Sequence, residues 1–399
     1  MGGSITVESV VAAPAAEVYR YFTNSTLLRE WLSDVALATV TVGGRVYLGW
    51  NDGAGVVGDF TALVPGERVA FTWVGTGIPG PGEVAVTLTA DAKSTRVALT
   101  HTWSADGDHA KGVAARWERG LENLASVMAT GQDLRFTGRP MVGIMVDAEL
   151  TPERAAKAGI PVSEGVVIGS ATDGMGAHAA GLSGGDVITS LGGVPITGFS
   201  SIAVALQPHR AGETVEIVFY RDGKEQRVAM TLSGRPIPEI PATATALAAY
   251  VRELYDWVDA ELEACFEGVD APEAMAKPSP EEWSAREVVA HLLDGEGDGH
   301  AFISELVLGT ERIGDGPFEN SDLRARVTAG SYPGYRAMLE SYRRLEDQTV
   351  ALLAGLPDEF VARRGSFWRL AYGYTQARPH YEEHFAQIRA AVAAGGHRP

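Results

Sequence analysis

The stretches WSAREVVAHLLDGEGDGH (283–300) and RPHYEEHFAQIRAAV (378–392) decide how the C-terminal third of this chain is read. In the first, Ser284 and Glu287 have the spacing of a capping box, each side chain satisfying the other residue's free backbone donor, so a helix starts there. Val288, His291, Asp294 or Gly295, and Phe302 then share a face, which aims His291 at the interior. Glycines at 295, 297 and 299 weaken that helix by ~1 kcal/mol each relative to alanine, allowing a local bend. In the second stretch Pro379 suits a first turn, and His380 and His384 stand one turn apart on one side, where two imidazoles can chelate one ion. A helical pair at this spacing is a common zinc-binding device but also arises as packing or surface residues.

Working outward, apolar residues at Leu247, Val251, Leu254, Val258, Leu262 and Cys265 advance by three or four and mark a long helix. Cys265 ends the stripe as a small core residue, with no basic neighbour to activate its thiol. A third helix is expected from about Pro333 to Leu356 and a fourth from about Ala377 to Ala394, which makes a four-helix bundle. The W-S-x-x-E-x-x-x-H-L pattern followed by HYEEH resembles the DinB-like superfamily over residues 242–395. By that resemblance His291, His380 and His384 form a metal triad. Three imidazoles with an open fourth position suit zinc, nickel or ferrous iron, and the sequence does not choose among these divalent metals. Glu296 and His300 are candidate outer or extra ligands, or simply solvated groups.

Upstream, SGRPIPEIPAT (233–243) carries three prolines and reads as a semi-rigid spacer, and ATGQDLRFTG (129–138) marks an earlier boundary. Between them EGVVIGSATDGMGAHAAGLSGGDVITSLGGVPIT is an array of short strands separated by glycine turns, SSIAVALQPH is a short helix, and AGETVEIVFYRDGKEQRVAMTL is a hairpin turning at residues 221–224. This order resembles an HtrA-like PDZ domain over residues 138–234. The resemblance implies that Met141, Val142, Gly143 and Ile144 form a carboxylate-binding loop for the C-terminal peptide of a protein partner. The peptide would add as a strand to the edge that begins at Ile144, its last side chain entering a pocket shaped by Ile144, Ile202 and Leu206. The Ser, His and Asp motifs of an HtrA protease are missing from both flanks, so this unit is expected to be an interaction module.

In the first segment SITVESVVAA, GGRVYLGW, ERVAFTWV, GEVAVTLTA and TRVALTHTW alternate as half-buried antiparallel strands. APAAEVYRYFTNSTLLREWL has helical spacing, and residues 110–128 put Val113, Trp117, Leu121, Leu124 and Met128 on one helical face. These residues resemble the SRPBCC or START-like superfamily over residues 1–130, in the branch of the Hsp90 ATPase activator homologues. The resemblance implies a helix-grip fold with an apolar cavity for a small molecule. Trp31, Trp73, Trp103 and Trp117, with Trp50 and Phe60, either line that cavity or are core. His101 lies within a strand and faces either the pocket or solvent.

The fold class expected is therefore multidomain: an α+β helix-grip domain, a mostly-β PDZ domain and an all-α four-helix bundle. Fifty-one acidic against 33 basic residues give a formal charge of −18, which opposes binding to nucleic acid and to anionic membrane surfaces. A single cysteine suits a reducing compartment, and neither a leader nor a membrane-spanning run is visible, so a cytoplasmic protein is expected. Two functions stay open. The DinB-like resemblance implies a metal-dependent S-transferase or isomerase using a low-molecular-weight thiol. The alternative is a non-enzymatic sensor or adaptor that binds an apolar ligand and protein C-termini. The sequence does not fix an oligomeric state.

Overall fold

The structure, a computed structural model, describes residues 2–51, 53–75, 80–105, 107, 109–310 and 321–396. The N-terminal segment runs β1 (Gly3–Val11), α1 (Ala15–Arg20), α2 (Ser25–Trp31), β2 (Val35–Ala38), β3 (Arg45–Gly49), β4 (Gly55–Val64), β5 (Arg68–Gly75), β6 (Gly82–Asp91), β7 (Ser94–Trp103) and α3 (Ala110–Thr130). Its strands form one antiparallel sheet in the order β1-β7-β6-β5-β4-β3-β2. Helix α3 buries Trp117, Leu121, Leu124 and Val127 in the core shared with the sheet, a helix-grip arrangement; Val113 and Met128 sit at the edge of that core, only partly buried. Two readings of this segment need correction. The helical text 13–32 is two helices, because Asn24 caps α2 by accepting from the Leu27 N–H at 3.0 Å. Strands β2 and β4 were not anticipated, since glycines interrupt the alternation around β4.

The middle segment contains α4 (Leu134–Thr137), β8 (Pro140–Met141), β9 (Ile144–Glu149), α5 (Pro152–Ala158), β10 (Val166–Ala171), α6 (Gly176–Ala179), β11 (Val187–Leu191), β12 (Val194–Pro195), α7 (Phe199–Leu206), β13 (Thr214–Arg221), β14 (Lys224–Thr231) and β15 (Ser233–Gly234). Its main sheet runs β14-β13-β11-β10-β9, which leaves β9 at an edge. The hairpin β13–β14 turns where expected: Arg221 pairs Lys224, and Asp222 and Gly223 both take positive φ (52° and 73°), the geometry that matches strand twist.

The C-terminal segment is all helical: α8 (Ala244–Cys265), α9 (Ala271–Met275), α10 (Ala285–Leu308), α11 (Ser321–Ser331), α12 (Tyr335–Ala354), α13 (Asp358–Ala362), α14 (Arg364–Thr375) and α15 (Arg378–Ala394). The four long helices α8, α10, α12 and α15 close a ring in which each packs on two others. The capping box at Ser284 and Glu287 forms as spelled, and α10 is helical through Gly295, Gly297 and Gly299. A Cβ at any of these three glycines would meet nothing within 4 Å, so they leave open space along the helix. Cys265 is buried, and burial raises its thiol above the ordinary range.

By contacts the chain divides into two units. One joins the residues up to Gln132 with those from Pro238, and the other is residues 133–237. Within the first unit α14 docks against α2 and α3: Ser366 donates to the buried Glu30, Arg364 donates to the Ala129 carbonyl, and Gly365 fits where a Cβ would stand 2.7 Å from a Val127 methyl.

Candidate functional site

His291 comes from the middle of α10, and His380 and His384 from successive turns of α15, two helices that pack on each other. Each histidine offers one ring nitrogen, and these nitrogens all lie within 4.8 Å of one another. Among the described residues this is the group of histidine, cysteine and carboxylate side chains arranged so that one ion could be held. The ring centroids are 4.9 Å apart for His291 and His384 and 4.3 Å apart for His380 and His384. Burial lowers the pKa of all three rings, and the neighbouring imidazole of the triad lowers each further. The rings are therefore neutral at neutral pH, the state a metal ligand needs.

His384 is the best defined of the three. Its Nδ1 lies 2.8 Å from Oε1 of Gln387, an acceptor, so Nδ1 carries the hydrogen and Nε2 bears the lone pair. That Nε2 is buried and has no hydrogen-bond partner. An orphaned, buried lone pair beside two further imidazoles fits a divalent cation by its donor set. Trp283 packs on His291 at a centroid distance of 4.9 Å and is tied by its own N–H to Asp322 at 2.8 Å, which limits how far that ring can turn. The half-exposed His291 and exposed His380 leave the group open on one side.

A polar cleft of about 560 Å³ lies between α10, α11 and α12, lined in part by Asp294, Asp298, Arg324, Thr328 and Arg344. Asp294, Asp298 and Arg324 are close enough to His291 for their charges to act on it. Within the cleft Arg324 binds Asp298 at 2.7 Å, and Thr328 donates to Asp294 at 2.9 Å. Sequence reasoning did not find Gln387 or the cleft. The three-residue step from His384 to Gln387 was the available signal for the first. The second depends on α11, which was not anticipated.

Glu296 and His300 do not join the triad. Glu296 accepts from the Tyr255 hydroxyl (2.9 Å) and the Thr349 hydroxyl (2.8 Å), and His300 Nε2 faces Thr349 at 2.8 Å, so both belong to a separate polar network in the bundle core. In the same core Glu346 is 1% exposed with both oxygens unpartnered, and burial holds its pKa up at about 9, so it carries its proton at neutral pH.

In the middle segment Val142 is buried in the core, and its carbonyl accepts the Ala177 N–H at 3.0 Å. Gly143 takes φ +81°, and a Cβ there would meet Met175 at 2.4 Å, so the loop requires glycine. Met141 is the last residue of β8, paired with Ser233, and Ile144 begins the edge strand β9. Ile144, Ile202 and Leu206 are half-buried against one core, and Glu149 of β9 accepts the Phe199 N–H at the start of α7 at 2.8 Å. Edge strand β9 and helix α7 are thus joined at the Glu149 end and share one apolar core through Ile144, Ile202 and Leu206.

In the N-terminal domain the four predicted tryptophans are buried, with Trp31, Trp73, Trp103 and Trp117 at 1%, 2%, 5% and 3% exposure. Trp73 and Trp117 pack together at 5.4 Å, and His101 lies between Trp73 and Trp103 at 5.3 and 5.9 Å. Trp31 stands apart, pinned by its N–H to the Tyr21 carbonyl at 2.9 Å.

Residues 12–129 match the family described as Activator of Hsp90 ATPase homolog 1-like protein, and residues 142–232 match the family described as PDZ domain. The chain carries an Hsp90-activator-like domain and a PDZ domain. The Serine protease Do-like HtrA of Lactococcus lactis subsp. lactis (strain IL1403) is 38% identical over 99 residues, 24% of this chain and 24% of that protein. The Periplasmic serine endoprotease DegP of Escherichia coli (strain K12) is 30% identical over 112 residues, 28% of this chain and 23% of that protein. The chain thus spans about a quarter of the length of these relatives, and the likeness lies in the PDZ region. The Aha1 dimer from Colwellia psychrerythraea is similar at 21% identity and TM-score 0.29 over 31% of this chain and 95% of that one. No helix of the described residues is long and apolar enough to cross a membrane.

Proposed function

We propose that the helical segment is a DinB-like, metal-dependent bundle in which His291, His380 and His384 hold one zinc, nickel or ferrous ion. The observation that carries this reading is the buried, unpartnered Nε2 of His384 beside two neutral imidazoles. A bound ion supplies Lewis acidity and stabilises a thiolate, so the reaction class proposed is S-transfer or isomerisation with a low-molecular-weight thiol. Gln387 orients His384, Trp283 limits the motion of His291, and the cleft lined by Asp294, Arg324 and Thr328 receives the polar co-substrate. The PDZ groove takes the free C-terminus of a partner protein and the Hsp90-activator-like domain takes an apolar small molecule. The single buried cysteine supports placing the chain in the cytoplasm.

A second reading, a non-enzymatic sensor or adaptor, is favoured by the packing of α14 against α2 and α3, which ties the bundle to the ligand-binding fold. Absorption spectroscopy of the cobalt-substituted protein separates the two. A charge-transfer band that appears on adding a thiol, and is lost in His384→Ala, supports the transferase. A spectrum that thiols leave unchanged contradicts it and favours the adaptor.

A further inference from the structure

The Hsp90-activator-like domain contains a buried surplus of hydrogen-bond donors. Trp117 donates its indole N–H to Nδ1 of His101 at 3.0 Å. Nδ1 is therefore an acceptor, and the hydrogen of the neutral ring sits on Nε2. Burial, with the nearby charge of Arg116, lowers His101 to about 4, so the ring stays neutral. Nε2 of His101 is buried without a partner, and so are Nε1 of Trp73 and Nε1 of Trp103. Three N–H donors in one cluster of neighbouring rings thus lack acceptors, and a buried donor left unpaired is destabilising.

Register explains why these groups meet. Trp73 on β5 pairs with Gly82 on β6, which pairs with Trp103 on β7, so the two residues stand either side of Gly82 in one row, while the Trp103 indole lies over Gly3 of β1, where a Cβ would stand 2.9 Å from its Nε1. A Cβ at Gly82 would stand 1.8 Å from the Thr102 carbonyl oxygen, so the gap in that row is fixed by the backbone. His101 lies two residues before Trp103 and so on the same face of the sheet, toward α3.

We infer that Trp73, His101 and Trp103 form the polar end of a site for an apolar molecule that bears a carboxylate. A water molecule would accept from two of the donors but bring two hydrogens of its own into a cluster whose unpaired atoms are all donors. A carboxylate brings acceptors alone, and Arg116 adds a favourable charge. The tryptophan rings supply the apolar contact. The inference rests on the small-molecule reading of this domain and is independent of the metal centre.

The test uses the full chain, with 1-naphthoate and dodecanoate as carboxylate probes, and naphthalene and 1-dodecanol as their counterparts lacking the carboxylate. Calorimetry should show saturable binding of a carboxylate at least tenfold tighter than its counterpart. Trp73→Phe and Trp103→Phe remove both a donor and some ring contact, so each should weaken the carboxylate about tenfold more than it weakens the counterpart. In nitrogen-15 correlation spectra of the unmodified protein, the indole N–H signals of Trp73 and Trp103 should move downfield on saturation, while that of Trp117, already donated to His101, should move little. Equal affinity for carboxylate and counterpart overturns the donor site while small-molecule binding stands. Failure of all four probes to bind overturns both.

Discussion

Nδ1 of His384 and Oε1 of Gln387 lie 2.8 Å apart one helical turn from each other, and this contact places the hydrogen on Nδ1 and leaves the lone pair on the buried, unpartnered Nε2 of a ring that neighbours His291 and His380. Gln387 is thus a positioning residue for the candidate centre. Replacing it with leucine leaves Nδ1 without an acceptor and lets the other tautomer form, so metal affinity should fall about 10- to 100-fold. Gln387→Glu, which keeps an acceptor at the same reach, should restore most of it. Competition titration with a chromophoric chelator reads both. Unchanged affinity in the leucine variant would show that the contact is incidental.

The buried Glu346 predicts a pH dependence of stability. Its folded-state pKa, about 9, lies above the ordinary carboxyl value, so its stabilising share is complete below pH ~4.5 and is lost as pH rises through about 9. Glu346→Gln mimics the protonated side chain and should flatten that slope. Urea unfolding should find the variant more stable than the parent by on the order of 1–3 kcal/mol at pH 8.5, with the gap closing at pH 5. A parent protein whose stability does not decline between these pH values contradicts the assignment.

Docking of α14 on the N-terminal domain depends on Gly365, where an added Cβ would stand 2.2 Å from Oε2 of Glu30 and 2.7 Å from a Val127 methyl. Gly365→Ala should therefore destabilise the unit by roughly 1–3 kcal/mol despite alanine's better helix propensity. Thermal unfolding decides the sign. A variant as stable as the parent would mean that α14 shifts without cost.

These three positions mark where the sequence stops being readable. The three histidines and the cap at Ser284 were legible because helical spacing and capping are local, written within a few residues. The PDZ hairpin was legible for the same reason, from Asp222-Gly223 between alternating strands. Strand β4 escaped because its glycines break the alternation, and α14 because Arg364–Thr375 holds no clean apolar stripe: it buries Gly365, Ser366, Phe367 and Trp368 in succession. That Gly365, Ser366 and Trp368 meet a domain more than two hundred residues earlier while Phe367 enters the bundle's own core is a tertiary fact with no local signal. The same limit hid the surplus of donors at Trp73, His101 and Trp103, which depends on the register of three strands.

For the PDZ groove, the positive φ of Gly143 and the free edge of β9 predict binding of peptides with an unblocked, apolar C-terminus. Amidation of the same peptide should weaken binding at least tenfold, and Ile202→Glu should weaken the unblocked form comparably by placing charge in the apolar pocket. Fluorescence anisotropy with a labelled peptide measures both. Equal affinity for free and amidated peptides would refute the carboxylate loop.

The central claim, that His291, His380 and His384 hold one metal ion, is tested most directly by elemental analysis of the full chain purified without a histidine tag and equilibrated with zinc, nickel or ferrous ions. The account predicts close to one equivalent of one of these metals in the parent, and a drop to a tenth or less in each of His291→Ala, His380→Ala and His384→Ala with the helical signal retained. Parent protein that takes up none of the three, or alanine variants that keep a full equivalent, would contradict it.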